Sequence, residues 1–265
     1  MPEVGITGHT PPREGRGDGV VPRDASGHPL LMVQNGPRAQ VVYLNFDGAT
    51  IQYGDWRQDN AQTNVSFIPK NGTAQVPAFN HGPWGGDRGQ VIGAVVAGLQ
   101  EGFVGYQVSV TTSRPADGAY TMIMVGGNPE HVGWQGPIGI APLHAGNWNQ
   151  SDVGFVFSDE MARYGYDARH IAWVISHEFG HSFGLEHISP ADDIMSPVSN
   201  HVAQRWGEGP KTGSEGYQVD HQVIASADPV GPRLEIGEHL VGAAGGTQHH
   251  VLAHGAHGQP QAAEL

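Results

Sequence analysis

The chain has 265 residues, which suits one domain with extensions or at most two small domains, and its 38% apolar content is adequate for an ordinary core. Lys+Arg 13 against Asp+Glu 26 gives a net charge of −13, which argues against nucleic acid or an anionic membrane surface as a partner, because phosphate contacts need a basic face. There is no cysteine, so neither a disulfide nor a thiolate that masks a metal is available, and no apolar run is long enough to span a bilayer.

Residues 1–38 are rich in Gly, Pro, Arg and Asp without periodicity and read as a flexible leader or pro-segment remnant. Residues 1–30 lack the basic start and apolar core of a signal peptide. The β-branched and aromatic run Val41–Phe46, closed by Asp47-Gly48, predicts the first sheet strand. Residues 50–85 read as polar and loop-rich, with one strand near Val65–Ile68. From Asp87 to Phe103, the residues Val91, Ile92, Val95, Val96, Leu99 and Phe103 form a helical stripe, which Gly93 and Gly98 weaken without erasing. This predicts a helix backing the sheet. Tyr106–Thr112 and Tyr120–Val125 predict two further strands, and Pro137–His144 and Val153–Phe157 are strand candidates after them. Pro142 suits an edge strand, since a central strand would miss its N–H, and a peptide can add itself to such an edge as a further strand.

Asp167 predicts an N-cap. Behind it, Ala168, Ile171, Ala172, Ile175, Phe179 and Ser182 fall on one helical face, while Val174, His177 and His181 fall on another. The stretch from His177 to His187 reads H-E-x-x-H-x-x-G-x-x-H. Residues four apart stack on one helix face, so His177 and His181 can aim at one metal ion. Glu178 sits beside the first ligand, within reach of a water there and not itself bound to the metal. Gly184 permits a positive φ, which lets the chain leave the helix and turn back to bring His187 round as a third ligand. Three His ligands leave a fourth tetrahedral position open, the mark of a catalytic rather than a structural zinc site. Chance alone yields this match in roughly one of a few thousand chains of this composition, so a helix that merely carries histidines is the weaker reading.

Met195 follows His187 by eight residues, in Asp193-Ile194-Met195-Ser196-Pro197. Alone it reads as core packing; in that position it looks like a Met-turn under the histidines. The two elements together resemble the metzincin clan of zinc endopeptidases, with the layout closest to the matrixin branch. The resemblance implies an α+β fold: a twisted, mostly parallel sheet with an antiparallel edge strand, a backing helix, an active-site helix and a small C-terminal subdomain after the third His. It implies a catalytic domain over 39–228, with an upper part to about 184 and a lower part over 185–228. It implies His177, His181 and His187 as zinc ligands, Glu178 as general base, and Met195 and Gly184 as supports of the site. It implies substrate contacts at Ile140, Ala141, Pro142 and Pro197. It also allows a structural Ca2+ held by Asp152, Asp159 and Glu160, against the competing reading of a solvated acidic loop. Pro197 stands where astacins and serralysins carry a tyrosine, which argues against those branches.

After Met195 the sequence is loop-like to about Gly213, and Ser214–Ser226 predicts a C-terminal helix supported by Tyr217, Val219, Val223 and Ile224. Residues 229–265 are Gly/Ala/His-rich and read as a mobile tail, in which His249, His250, His254 and His257 chelate weakly. The expected function is a secreted zinc endopeptidase acting on proteins or peptides. The alternatives are a specialised maturation protease or cell-wall peptide amidase with the same zinc chemistry, or a non-catalytic zinc-containing binding module.

Overall fold

A computed structural model of the chain describes residues 40–70, 72–144, 147–198, 204–227 and the pair 263–264. The expected leader and nearly all of the expected tail lie outside the described residues. The chain runs through β1 (Gln40–Asn45), β2 (Ala49–Tyr53), β3 (Val65–Ser66), β4 (Ala74–Val76), α1 (Arg88–Gly102), β5 (Val108–Thr111), β6 (Thr121–Val125), β7 (Gly139–Ala141) and β8 (Val153–Val156). Then follow α2 (Ser158–Arg163), α3 (Ala168–Ser182), β9 (Glu208–Pro210), β10 (Tyr217–Val219), α4 (Asp220–Ala227) and, near the C-terminal end, β11 (Ala263–Glu264).

The main sheet has the order β11-β7-β8-β6-β1-β5. β5, β1, β6 and β8 are parallel neighbours, while β7 runs antiparallel to β8. Parallel strands covered on both faces read as continuous apolar runs, and Thr121–Val125 is buried at every position. Alternate side chains serve different layers. Val42, Leu44, Ile123 and Val125 join the core beneath α1 and α3, and Tyr43, Met122 and Met124 join a second core on the opposite face.

α1 starts with a reciprocal cap. Asp87 accepts from the Gln90 N–H at 2.8 Å, and the Gln90 side chain accepts from the Asp87 N–H at 3.2 Å. Its stripe Ile92, Val95, Val96 and Leu99 is wholly buried, each side chain contributing about 1.5–3 kcal/mol. Gly98 costs helix propensity but serves packing: a Cβ there would lie 2.8 Å from Cβ of Ala172. Only a residue without a side chain lets α1 approach α3 so closely.

Two expectations need correction. Residues 50–85 hold three strands rather than one, because β2 pairs with β3 on one side and β4 on the other, in the order β3-β2-β4. Ile51, Ala74 and Val76 are the buried apolar positions of this small sheet, which covers the second core, and Ser66 is buried beside them. In the C-terminal part the helix begins at Asp220, not Ser214. Tyr217–Val219 is taken up by antiparallel pairing with Glu208–Pro210, where Gln218 turns inward. β1, β5, β6 and β8, both long helices and the antiparallel β7 stand where the sequence predicts them, whereas β9 falls in the stretch read as loop and β11 in the stretch read as tail.

Candidate active site

α3 is fixed at its start by Asp167, whose carboxylate accepts from the N–H groups of Arg169 at 2.9 Å and His170 at 3.0 Å. Ile171, Ala172, Ile175 and Phe179 pack into the core beneath the main sheet. At the other end Gly184 has φ 90°, and two hydrogen bonds close the helix. Gly184 N–H donates to His181 O at 2.8 Å, and Leu185 N–H donates to Gly180 O at 3.1 Å. This is the paired cap of a left-handed helix terminus, and it reverses the chain. The returning segment is clamped from below: Thr212 N–H donates to His187 O at 2.9 Å, and the Gln218 amide bonds both the N–H and the O of Glu186.

The three histidines meet. Nε2 of His177 lies 3.1 Å from Nε2 of His187 and 3.1 Å from Nε2 of His181. Their second nitrogens fix the tautomer: Nδ1 of His177 faces Ile194 O at 2.6 Å, and Nδ1 of His181 faces Leu185 O at 2.7 Å. A carbonyl can only accept, so each Nδ1 carries the proton. Burial holds His177 and His181 well below the ordinary imidazole range, with the neighbouring rings adding to the shift; burial brings His187 down to about 4. The rings are therefore neutral at neutral pH, and the Nε2 lone pairs of His177 and His181 turn toward a common point with Nε2 of His187. Lone pairs so arranged repel unless a cation sits among them, and imidazole nitrogen suits zinc. The donor set fits the ion. Among the described residues, these three form the sole group of three or more His, Asp or Glu side chains gathered closely enough to hold a metal.

Glu178 is fully buried beside β7. A Cβ on Gly139 would lie 2.8 Å from its Cδ and 2.9 Å from its Cγ, and closer still to Oε1. The carboxylate thus occupies the space that a side chain on β7 would fill. Met195 lies under the helix: a Cβ on Gly180 would come 2.6 Å from its Sδ. Ile140 and Ala141 are buried in β7, Pro142 is buried just after it, and Pro197 is exposed beyond the methionine turn. The three acids considered for calcium are not brought together. Asp152 pairs with His144 at 2.8 Å and Glu160 with Arg163 at 2.7 Å, while Asp159 sits in the first turn of α2.

Four residues that position the site carried no assignment in the sequence. Gly139 and Gly180 make the close approaches just described; for Gly139 the local signal is a glycine inside a strand, and Gly180 lies inside α3. Asp193 and Asp220 join the methionine turn to α4. Asp193 accepts from Met195 N–H at 2.7 Å, Asp220 accepts from Gly207 N–H at 3.2 Å, and both carboxyls face Gly207 and each other. Burial, then the Asp220 charge, pushes Asp193 up to about 7; burial also raises Asp220.

A group raised in the folded state stabilises most below its unfolded value. Its contribution therefore declines as pH rises from about 4 to about 7. Asp193→Asn keeps the acceptor for Met195 N–H and removes one acid. With zinc saturating, it is expected to raise the melting temperature at pH 8 by roughly 3–6 °C and to flatten the fall between pH 4.5 and 8. An unchanged pH slope in thermal melts contradicts this role.

A buried trio of neutral imidazoles on a helix and its returning loop, beneath a mostly parallel sheet with an antiparallel strand beside it, is the arrangement of a metzincin-type zinc metalloprotease. The Matrixin family model matches residues 55–216, more than half of the chain, and the chain belongs to the matrixin family. No curated protein matches it. Among the described residues no helix is long and apolar enough to cross a membrane.

Proposed function

We propose that the chain is a zinc-dependent endopeptidase in which His177, His181 and His187 hold the metal and Glu178 is the general base. The observation that carries this reading is the convergence of three Nε2 atoms, two of them with Nδ1 protons committed to backbone carbonyls, beside a buried carboxylate. Zinc there would supply Lewis acidity to a scissile carbonyl and to the attacking water. Glu178 receives the proton of that water on its carboxylate and passes it to the nitrogen of the leaving amine. Gly139 leaves the room in which that carboxylate sits. Ile194 O and Leu185 O hold the rings of His177 and His181 in one tautomer. Met195 supports the floor of the site, and Gly184 makes the reversal that carries His187.

The substrate lies extended along β7, hydrogen bonded to the Ile140–Pro142 segment, with Pro197 bordering the side beyond the cut. Denatured proteins and flexible peptides are the substrate class, since an extended strand is what a sheet edge recognises. Export is part of the reading, because matrixins are typically extracellular. A specialised maturation protease would share all of this and differ only in accepting one sequence. A purely structural zinc site would need no carboxylate beside its first ligand, which disfavours a binding module. The test is hydrolysis of denatured casein by the full chain. Activity that a chelator abolishes and zinc restores is expected; zinc binding without hydrolysis of any peptide would support the binding module instead.

A further inference from the structure

The free side of β7 is already taken. β11 pairs with it antiparallel, Ala263 opposite Ala141 and Glu264 opposite Ile140. The other side of β7 is satisfied by β8, so β11 sits on the edge proposed above for substrate. This edge is joined directly to the metal centre, because Gly139 abuts Glu178 and His144 N–H donates to His181 O at 3.1 Å. We propose that the C-terminal segment around Ala263–Glu264 is a built-in ligand of the substrate edge, bound as an extended strand in competition with substrate peptides. This rests on the reading of β7 as the substrate edge.

Four properties support it. An unpaired strand edge presents a row of backbone N–H and C=O groups that favour any strand able to reach them. Residues 228–262 connect α4 to β11, and 35 residues reach about 120 Å when extended, so the connection imposes no limit. The attachment also keeps the segment at a local concentration on the order of millimolar, enough to occupy a weak site that a free peptide would fill poorly. Main-chain pairing recognises no particular side chain, so the segment can share the edge with unrelated substrates.

The test uses the full-length chain carrying Ala263→Pro and Glu264→Pro, which removes both strand N–H groups without touching the catalytic domain. Two readouts are taken. Hydrogen exchange of the segment around Gly139–Ala141 is expected to speed up about two- to tenfold in the variant, as an opened edge exchanges more freely. For a short peptide substrate, KM is expected to fall about two- to fivefold with kcat unchanged, the signature of losing a tethered competitor. A free peptide covering residues 258–265 should inhibit the variant competitively. Unchanged exchange overturns the docking. Faster exchange with an unchanged KM overturns the competition, since the edge would then not be the substrate's. A chain that cleaves no substrate in either form sinks the endopeptidase reading, and exchange alone still decides whether the strand docks.

Discussion

Glu178→Gln is expected to lower kcat for peptide hydrolysis by about 100- to 10,000-fold while zinc binding stays intact, because a general base contributes on that scale. The substitution preserves shape and volume and removes only the basicity. The three imidazoles do not depend on the carboxylate for their orientation: Ile194 O and Leu185 O hold two of them, and the Thr212 N–H bond to the His187 carbonyl anchors the third. Zinc content should therefore match the wild type. The check is kcat and bound zinc measured on the same preparation. A variant that keeps wild-type turnover would remove Glu178 from the chemistry. A variant that loses zinc would make its role structural.

Gly139→Ala is expected to be nearly as damaging although the residue is a glycine in a strand 39 positions before Glu178. The added methyl would press on Cγ, Cδ and Oε1 of Glu178, a side chain that is wholly buried. Overpacking of this kind costs about 1–3 kcal/mol of stability, which a domain with two large apolar cores tolerates. The larger effect falls on the reaction, since displacing a catalytic group by about 1 Å costs on the order of 100-fold. The expected result is a folded, zinc-loaded protein with kcat reduced about 100-fold or more. Thermal melting and metal analysis beside the kinetics separate this from unfolding. Wild-type turnover in Gly139→Ala would show that the carboxylate need not sit where β7 leaves room for it.

These two residues mark what the sequence discloses and what it hides. Glu178 is legible because helical periodicity ties it to His177 and His181 within one turn, and the turn at Gly184 needs only a positive φ to deliver His187. α1 and α3 are legible for the same reason: their apolar spacing and their Asp caps are local. Gly139 is hidden because its meaning lies in a contact with a different element. Between Ile138 and Ile140 it reads only as a weak point in a strand. Asp193 and Asp220 are hidden likewise; one stands in the methionine turn and the other within the stretch predicted as helix, and only the fold presses both against Gly207. β2 and β4 escaped because the alternation of Ile51, Ala74 and Val76 is too short to stand out from a polar stretch. The start of α4 was misplaced because the pairing of Tyr217–Val219 with Glu208–Pro210 is a tertiary choice. β11 is the extreme case: nothing in a Gly/Ala/His-rich tail signals a strand, and only the open edge of β7 gives it one.

The central claim is that one zinc ion, held by His177, His181 and His187, makes this chain a hydrolase. The most direct measurement titrates zinc into the chelated full-length chain while following casein hydrolysis. The account predicts no hydrolysis without metal and a linear rise that breaks at about one zinc per chain, the stoichiometry of a single four-coordinate site. Hydrolysis that persists in the metal-free chain, or a chain loaded with zinc that cleaves nothing, would contradict it.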